Sequence, residues 1–232
     1  MKVIALNGSP RKKWNTATLL KHALDGAASK GAETELIHLY DYNYKGCISC
    51  FACKLKNGKS YGRCAVKDDL KPILNKVHDA YAIILGSPIY FGMPTGVIRS
   101  FMERLLFQYL IYDENYSFLF KRSIPTGLIY TMNVEQSLIE GMGYDRTLMG
   151  IEMTFKRCFG AAETLMVTDT YQFDDYSKYE TSGLNEAQKA QRKLKVFPED
   201  CRKAFEMGVR FAGQTPNFTE VRNNISLRRK EK

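Results

Sequence analysis

No stretch of this chain approaches the roughly 18 consecutive apolar residues that a membrane-spanning helix requires, so a membrane-embedded protein is not expected. The Gly-Lys-Ser/Thr of a nucleotide-hydrolase P-loop is missing, and so is the G-x-G-x-x-G dinucleotide fingerprint. Histidine is scarce: His22, His38 and His78 fall on a helix, a strand and a helix, with no ligand-like spacing. Neither a Ser/His/Asp set nor a pair of catalytic carboxylates stands out, and there is no internal repeat or low-complexity linker. The opening "KVIALNGSP" reads as a strand and not as an Arg-rich leader with a cleavage site, so a cytoplasmic location is expected.

What is present is ordinary for a globular domain: 44% hydrophobic and 25% charged residues in 232. Lysine and arginine outnumber the acids 34 to 25, a net charge of +9, which favours anionic partners such as phosphorylated cofactors. The terminal "SLRRKEK" accounts for much of the excess. No RNA-binding or zinc-finger motif accompanies the charge, so nucleic acid is not the expected partner.

Apolar runs of strand length alternate with stretches of helical period. Strands are expected at 2–7, 33–40, 81–88, 123–131 and 163–170. Helices are expected from Asn15, taken as the N-cap, to a stop at Gly31, then at 68–80 behind Asp68 and Asp69 as caps, at 96–110, at 143–158, and in two pieces over 185–213. Such alternation argues for βαβ units around a parallel sheet. Residues 171–200 are the least regular stretch, aromatic and acidic in "YQFDDYSKYETSG", and suit a flap, an interface or a surface loop.

In a sheet of this kind ligands bind beyond the carboxyl ends of the strands. "GSPRKKWNT" (8–16) lies at one such end. Its backbone N–H groups and the following helix start favour an anion; Ser9, Asn15 and Thr16 offer donors, and Arg11 suits phosphate oxygens. The same residues would also serve a plain polar turn. The second loop, "GSPIYFGMPTG" (86–96), tips the balance, because its glycines admit close backbone approach and Pro88, Tyr90, Phe91 and Met93 present flat or soft surface to a planar heterocycle.

These two loops, with "CISCFAC" and "DD" between them, resemble the NADPH-dependent FMN reductase and iron–sulfur flavoprotein branch of the flavodoxin-like superfamily over residues 1–170. The resemblance implies an α/β, doubly wound, five-stranded parallel sheet in the order 2-1-3-4-5 between two helical layers. It implies one domain, an FMN-binding core over 1–170 with 171–232 as a C-terminal extension packed on it. Ser9, Arg11, Asn15 and Thr16 match the phosphate positions, and Pro88, Ile89, Tyr90, Phe91 and Gly92 match the flavin-ring loop. Thr131, Met132 and Asn133 are the candidates for the remaining ring contacts. The implied activity is an FMN-dependent NAD(P)H oxidoreductase reducing a small acceptor such as a quinone, nitro compound or flavin. No side chain is nominated as catalytic, since the flavin carries the chemistry; Trp14 is placed to shield its phosphate end. A homodimer or homotetramer is implied as well, with 112–120 and 171–200 as interface candidates.

Cys47, Cys50, Cys53 and Cys64 form a C-x2-C-x2-C-x10-C pattern that suits a [4Fe–4S] cluster; zinc is an alternative. The last gap is longer than in iron–sulfur flavoproteins, and buried or redox-active thiols are the preferred reading. A cluster would turn the protein into an electron-transfer flavoprotein. Loss of flavin binding would leave a non-enzymatic binding or regulatory protein. Cys158 and Cys201 are expected in the core.

Overall fold

The computed structural model describes residues 1–213; the basic "SLRRKEK" lies outside them. Among the described residues, no helix is long and apolar enough to cross a membrane. Five parallel strands form the sheet: β1 (Lys2–Asn7), β2 (Glu33–His38), β3 (Ala82–Tyr90), β5 (Thr126–Thr131) and β6 (Glu163–Val167), in the order β2-β1-β3-β5-β6. A sixth strand, β4 (Met93–Pro94), is a two-residue antiparallel return on β3. Counting only the parallel strands, the order is the 2-1-3-4-5 that was expected.

Burial on both faces explains why the inner strands read as unbroken apolar runs. Side chains alternate between two cores, as period two demands. Ile4, Leu6, Ile83, Leu85, Leu128 and Tyr130 face one core; Val3, Ala5, Ala82, Ile84 and Ile129 face the other. The first core is closed by α2 (Leu70–Asp79), α3 (Gly96–Phe107) and α4 (Tyr144–Phe159), the second by α1 (Asn15–Ala28) and α6 (Phe197–Gly213). A short α5 (Glu186–Lys195) precedes α6. Cys158 and Cys201 are buried in these cores, and burial pushes both thiols up, Cys201 to about 11.

The boundaries depart from expectation where backbone hydrogen bonds run out. Trp14, not Asn15, is the N-cap of α1, and Asn15 is its first helical residue. Residues 39–41 turn into a 3-10 helix instead of extending β2. Asp69 precedes α2 but its side chain caps nothing there; its carboxylate accepts the Asn43 N–H at 2.9 Å.

α1 and α6 touch backbone to backbone. A Cβ on Gly208 would sit 1.8 Å from the Ala23 carbonyl oxygen, and one on Gly26 2.0 Å from that of Phe205. Helical propensity alone favours alanine over glycine by about 1 kcal/mol, but overpacking costs about 1–3 kcal/mol. Gly208→Ala should therefore lower the urea midpoint. Gly150→Ala in α4, where a Cβ meets nothing within 4 Å, should raise stability by about 0.5–1 kcal/mol. Equal shifts in the two variants would contradict this packing.

Candidate functional site

The strand register brings the ends of β1, β2, β5 and β6 to one edge, which β3 passes on its way into the hairpin. Asn7 lies beside His38 and Gly86, and Thr131 beside Pro88 and Val167. At this edge β1 and β3 are neighbours whose connections leave toward opposite faces, which is where a crevice opens in a doubly wound sheet.

Two side chains coil the loop after β1. The Ser9 N–H donates to Asn7 Oδ1 at 3.0 Å, and the Arg11 N–H to Ser9 Oγ at 3.1 Å. Ser9 thus shapes its own loop. No side chain caps the start of α1, so its first N–H groups carry the helix's positive end without a side-chain partner. Arg11, Trp14 and Asn15 reach across the edge instead. Arg11 Nη1 donates to the Gln172 carbonyl at 2.7 Å, while Trp14 Nε1 and Asn15 Nδ2 share the Tyr171 carbonyl at 3.2 and 3.0 Å. The Arg11 guanidinium stacks 3.7 Å above the Trp14 ring, and the Lys193 ammonium lies 4.4 Å from the Tyr171 ring. Residues 171–172 and Lys193 belong to this edge and were not among the expected site residues. Their only sequence signal is the aromatic character of "YQF". Thr16 and Thr131 are both buried and share a hydrogen bond of 2.8 Å between their hydroxyls.

The second loop is a tight hairpin. Ile89 pairs with Pro94 and Tyr90 with Met93, leaving Phe91 and Gly92 as the turn, at φ +50 and +78. Both angles are positive, as a type I′ turn requires, but Phe91 is not a residue that enters this region without strain. Its ring is fully exposed, and Tyr90 is 45% exposed beside it. Pro88 and Ile89 are half-buried at the base of the hairpin.

The third loop only partly meets expectation. Thr131 is at the edge, but Met132 is buried in the core, and its backbone is fully engaged with Val167 and Thr170. Met132 is therefore unavailable as a ring contact by side chain or main chain. Asn133 is half-buried and its Oδ1 is a buried acceptor without a partner, next to the Lys189–Asp169 ion pair at 2.5 Å.

Some residues further along, Cys47, Cys50, Cys53 and Cys64 line one small cavity with Arg104, Phe107 and Gln108 of the α3 region. They are not gathered closely enough to hold a single ion: among the described residues no three His, Cys, Asp or Glu form such a group. The loop is held from α3. The Cys47 N–H donates to Glu103 Oε2 at 3.1 Å and the Cys64 N–H to Gln108 Oε1 at 2.9 Å. Burial pushes the Cys53 thiol up. A groove of about 810 Å3 runs beside α3 from Met93 of the hairpin to Cys47.

A family model described as NADPH-dependent FMN reductase matches residues 1–122. An iron–sulfur flavoprotein of Methanocaldococcus jannaschii is 43% identical over 104 residues, covering 45% of this chain and 51% of that protein. One from Archaeoglobus fulgidus is also 43% identical over 104 residues, covering 45% and 48%. The chain thus spans about half the length of these curated relatives. Among solved structures, an NAD(P)H:quinone oxidoreductase from Methanothermobacter marburgensis superposes with a TM-score of 0.66 at 14% identity, over 90% of this chain and 98% of its own. An FMN-dependent NADH-azoreductase from Bacillus anthracis in complex with FMN gives 0.61 at 13%, over 91% and 100%. At such identities the likeness is one of fold.

The Phe91 turn makes a stability prediction. Because the ring buries nothing, Phe91→Asn should relieve about 1 kcal/mol of left-handed strain and raise the melting temperature. A lower melting temperature would mean that the ring packs on the protein after all.

Proposed function

The chain belongs to the NADPH-dependent FMN reductase family, and on that premise we propose that it is an FMN-dependent NAD(P)H oxidoreductase acting on a small, flat acceptor such as a quinone. The observation that carries this reading is the pairing, on one sheet edge, of the uncapped start of α1 with the strained, exposed Phe91 turn. The first suits a phosphate and the second a planar ring. The orphaned Asn133 acceptor supplies a further polar point at the same edge. FMN, when bound, supplies hydride acceptance and its delivery onward.

The protein's own part is placement. N–H groups at the start of α1 would hold the phosphate oxygens, with Ser9 and Thr16 fixing the loop and Arg11 adding positive charge. Trp14, pinned to Tyr171 and stacked under Arg11, would screen that end from water. The hairpin backbone over 88–92 would meet the ring edge, and Tyr90 and Phe91 would bound the slot in which nicotinamide and acceptor stack in turn. A backbone held in a sparsely populated conformation is a common mark of a functional site, which fits Phe91 at that slot.

A second reading concerns the cysteines. Four cysteines lining one cavity offer the all-sulfur donor set that an iron–sulfur cluster takes. Cys47, Cys50, Cys53 and Cys64 would be the ligands, and the cluster would supply one-electron capacity near the flavin edge. A homodimer or homotetramer and a cytoplasmic location complete the proposal.

Protein purified anaerobically should show flavin absorption that NAD(P)H bleaches. Phe91→Asn should lower kcat/KM for a quinone by tenfold or more while its melting temperature rises. A colourless protein that rejects added FMN would overturn the reductase reading. The cluster reading requires roughly four irons per chain, with matching acid-labile sulfide, in that preparation. Iron-free protein that takes up none on reconstitution would rule it out.

A further inference from the structure

Arg104 is a guanidinium in the core: its side chain is 1% exposed, and it faces the cysteine cavity from α3. Each of its three nitrogens has an acceptor. Nη1 and Nη2 grip the Asp68 carboxylate at 2.5 and 3.0 Å, and Nη1 also reaches the Lys45 carbonyl at 3.3 Å. The two-pronged grip on Asp68 fixes the plane of the fork. It leaves Nε–H directed at Cys64 Sγ, 3.3 Å away. One side chain therefore touches the chain before Cys47, at Cys64 and at Asp68.

A buried ion pair is a weak device for stability alone, because desolvation offsets most of its Coulomb gain. The sulfur contact is the part with chemical consequence. Four cysteines holding a cluster would bind it as thiolates, which a nearby positive charge favours. Lys54, next to Cys53, directs its ammonium to the carbonyls of Phe107 and Leu110 at the end of α3. Arg104 is the cation aimed at sulfur.

We propose that Arg104, oriented by Asp68, is a positioning residue that holds Cys64 in the four-cysteine cavity and raises the reduction potential of a cluster bound there. The proposal rests on the cluster reading above. Hydrogen bonds to the sulfurs and local net charge are the levers by which a protein sets such a potential. Reduction adds one negative charge to the cluster, so a neighbouring positive charge favours the reduced form. The two partners then act with opposite sign. Arg104→Met removes a positive charge and the N–H···S bond, and the potential should fall. Asp68→Asn removes a negative charge while keeping a similar shape, and the potential should rise.

The test is anaerobic reconstitution of the full chain with iron and sulfide, followed by redox titration of the cluster's EPR signal in wild type, Arg104→Met, Arg104→Lys and Asp68→Asn. The expected order is Arg104→Met below wild type and Asp68→Asn above it, with Arg104→Lys between Arg104→Met and wild type. A plain structural clamp would lower iron content in both charge-removing variants without moving the potentials in opposite directions, and that result would overturn the proposal. Should Arg104→Met fail to fold, an unchanged or lower potential in Asp68→Asn overturns it equally. Wild-type protein that takes up no iron removes the cluster reading and this inference with it. Iron uptake with potentials unmoved removes the inference alone.

Discussion

Thr95 ties together the two strands between which the crevice opens. Its hydroxyl donates to the Gly8 carbonyl at 2.7 Å, its N–H donates to Ser87 Oγ at 3.0 Å, and the Gly8 N–H donates to the Gly86 carbonyl at 2.8 Å. This close approach has no room for side chains. A Cβ on Gly8 would lie 2.7 Å from that of Ile98, and one on Gly86 would press into Leu20 and Thr16. Both glycines are here for space, not for turn geometry. Because every bond of the knot has a main-chain group at one end or both, it fixes where the first loop leaves the sheet, where the hairpin stands and where α3 begins. A buried, fully paired polar cluster of this kind permits little adjustment.

α3 carries that placement to the cysteines. Its first turn is pinned by the Tyr44 hydroxyl, which donates to the Val97 carbonyl at 2.9 Å. At 1.5 Å per residue, Arg104 stands about 12 Å along the axis from Gly96. Glu103, Arg104, Phe107 and Gln108 fall on one side of the helix by the i, i+4 rule and all meet the cysteine loop or its cavity. The spacing between the crevice and the cavity is thus the rise of one helix, without a hinge between them. The groove from Met93 to Cys47 follows the same helix. Two chemistries placed by one rigid element cannot drift apart independently.

The strands were legible because burial on both faces writes itself into sequence as apolar runs bounded by Gly, Pro and polar turns. Asn7 and Thr131 at the strand ends follow from that pattern with the crossover rules. β4 was not legible, since two residues carry no period. The misplaced cap of α1 has a clear cause: Asn15 is a good capping type, but its amide is drawn to Tyr171, 156 residues away, a contact no local window contains. The same holds for Asp68, which reads as a helix cap. It does accept the Leu70 N–H at 3.2 Å, yet its stronger engagement is with Arg104. Arg104 itself reads as one more charge on an amphipathic helix, because its burial depends on a loop 40 residues earlier. Met132, just past the end of β5, joins the same core as Tyr130, whereas Thr131 between them meets Thr16, an alternation that three consecutive candidates do not separate.

The four expected phosphate residues turn out to have partners within the protein. Ser9 and Thr16 are committed to the fold of the loop, while Arg11 and Asn15 clasp the main chain at 171–172. This divides the labour at the edge. The α1 N–H groups, fixed in direction by the helix and uncapped by any side chain, form the anion-receiving part, and their geometry is set before any ligand arrives. Arg11 and Asn15 are the adjustable part. The Arg11 bond to the Gln172 carbonyl is already charge-assisted on the donor side; an anion would add the opposite charge and could be gripped by both Nη groups. On the proposed function, an anion at the helix start would compete for Arg11, and release of the guanidinium would leave Trp14 and Asn15 to hold Tyr171. The hold on the segment leading into α5 is thus divided among three side chains of the first loop and helix start, of which Arg11 alone carries a charge.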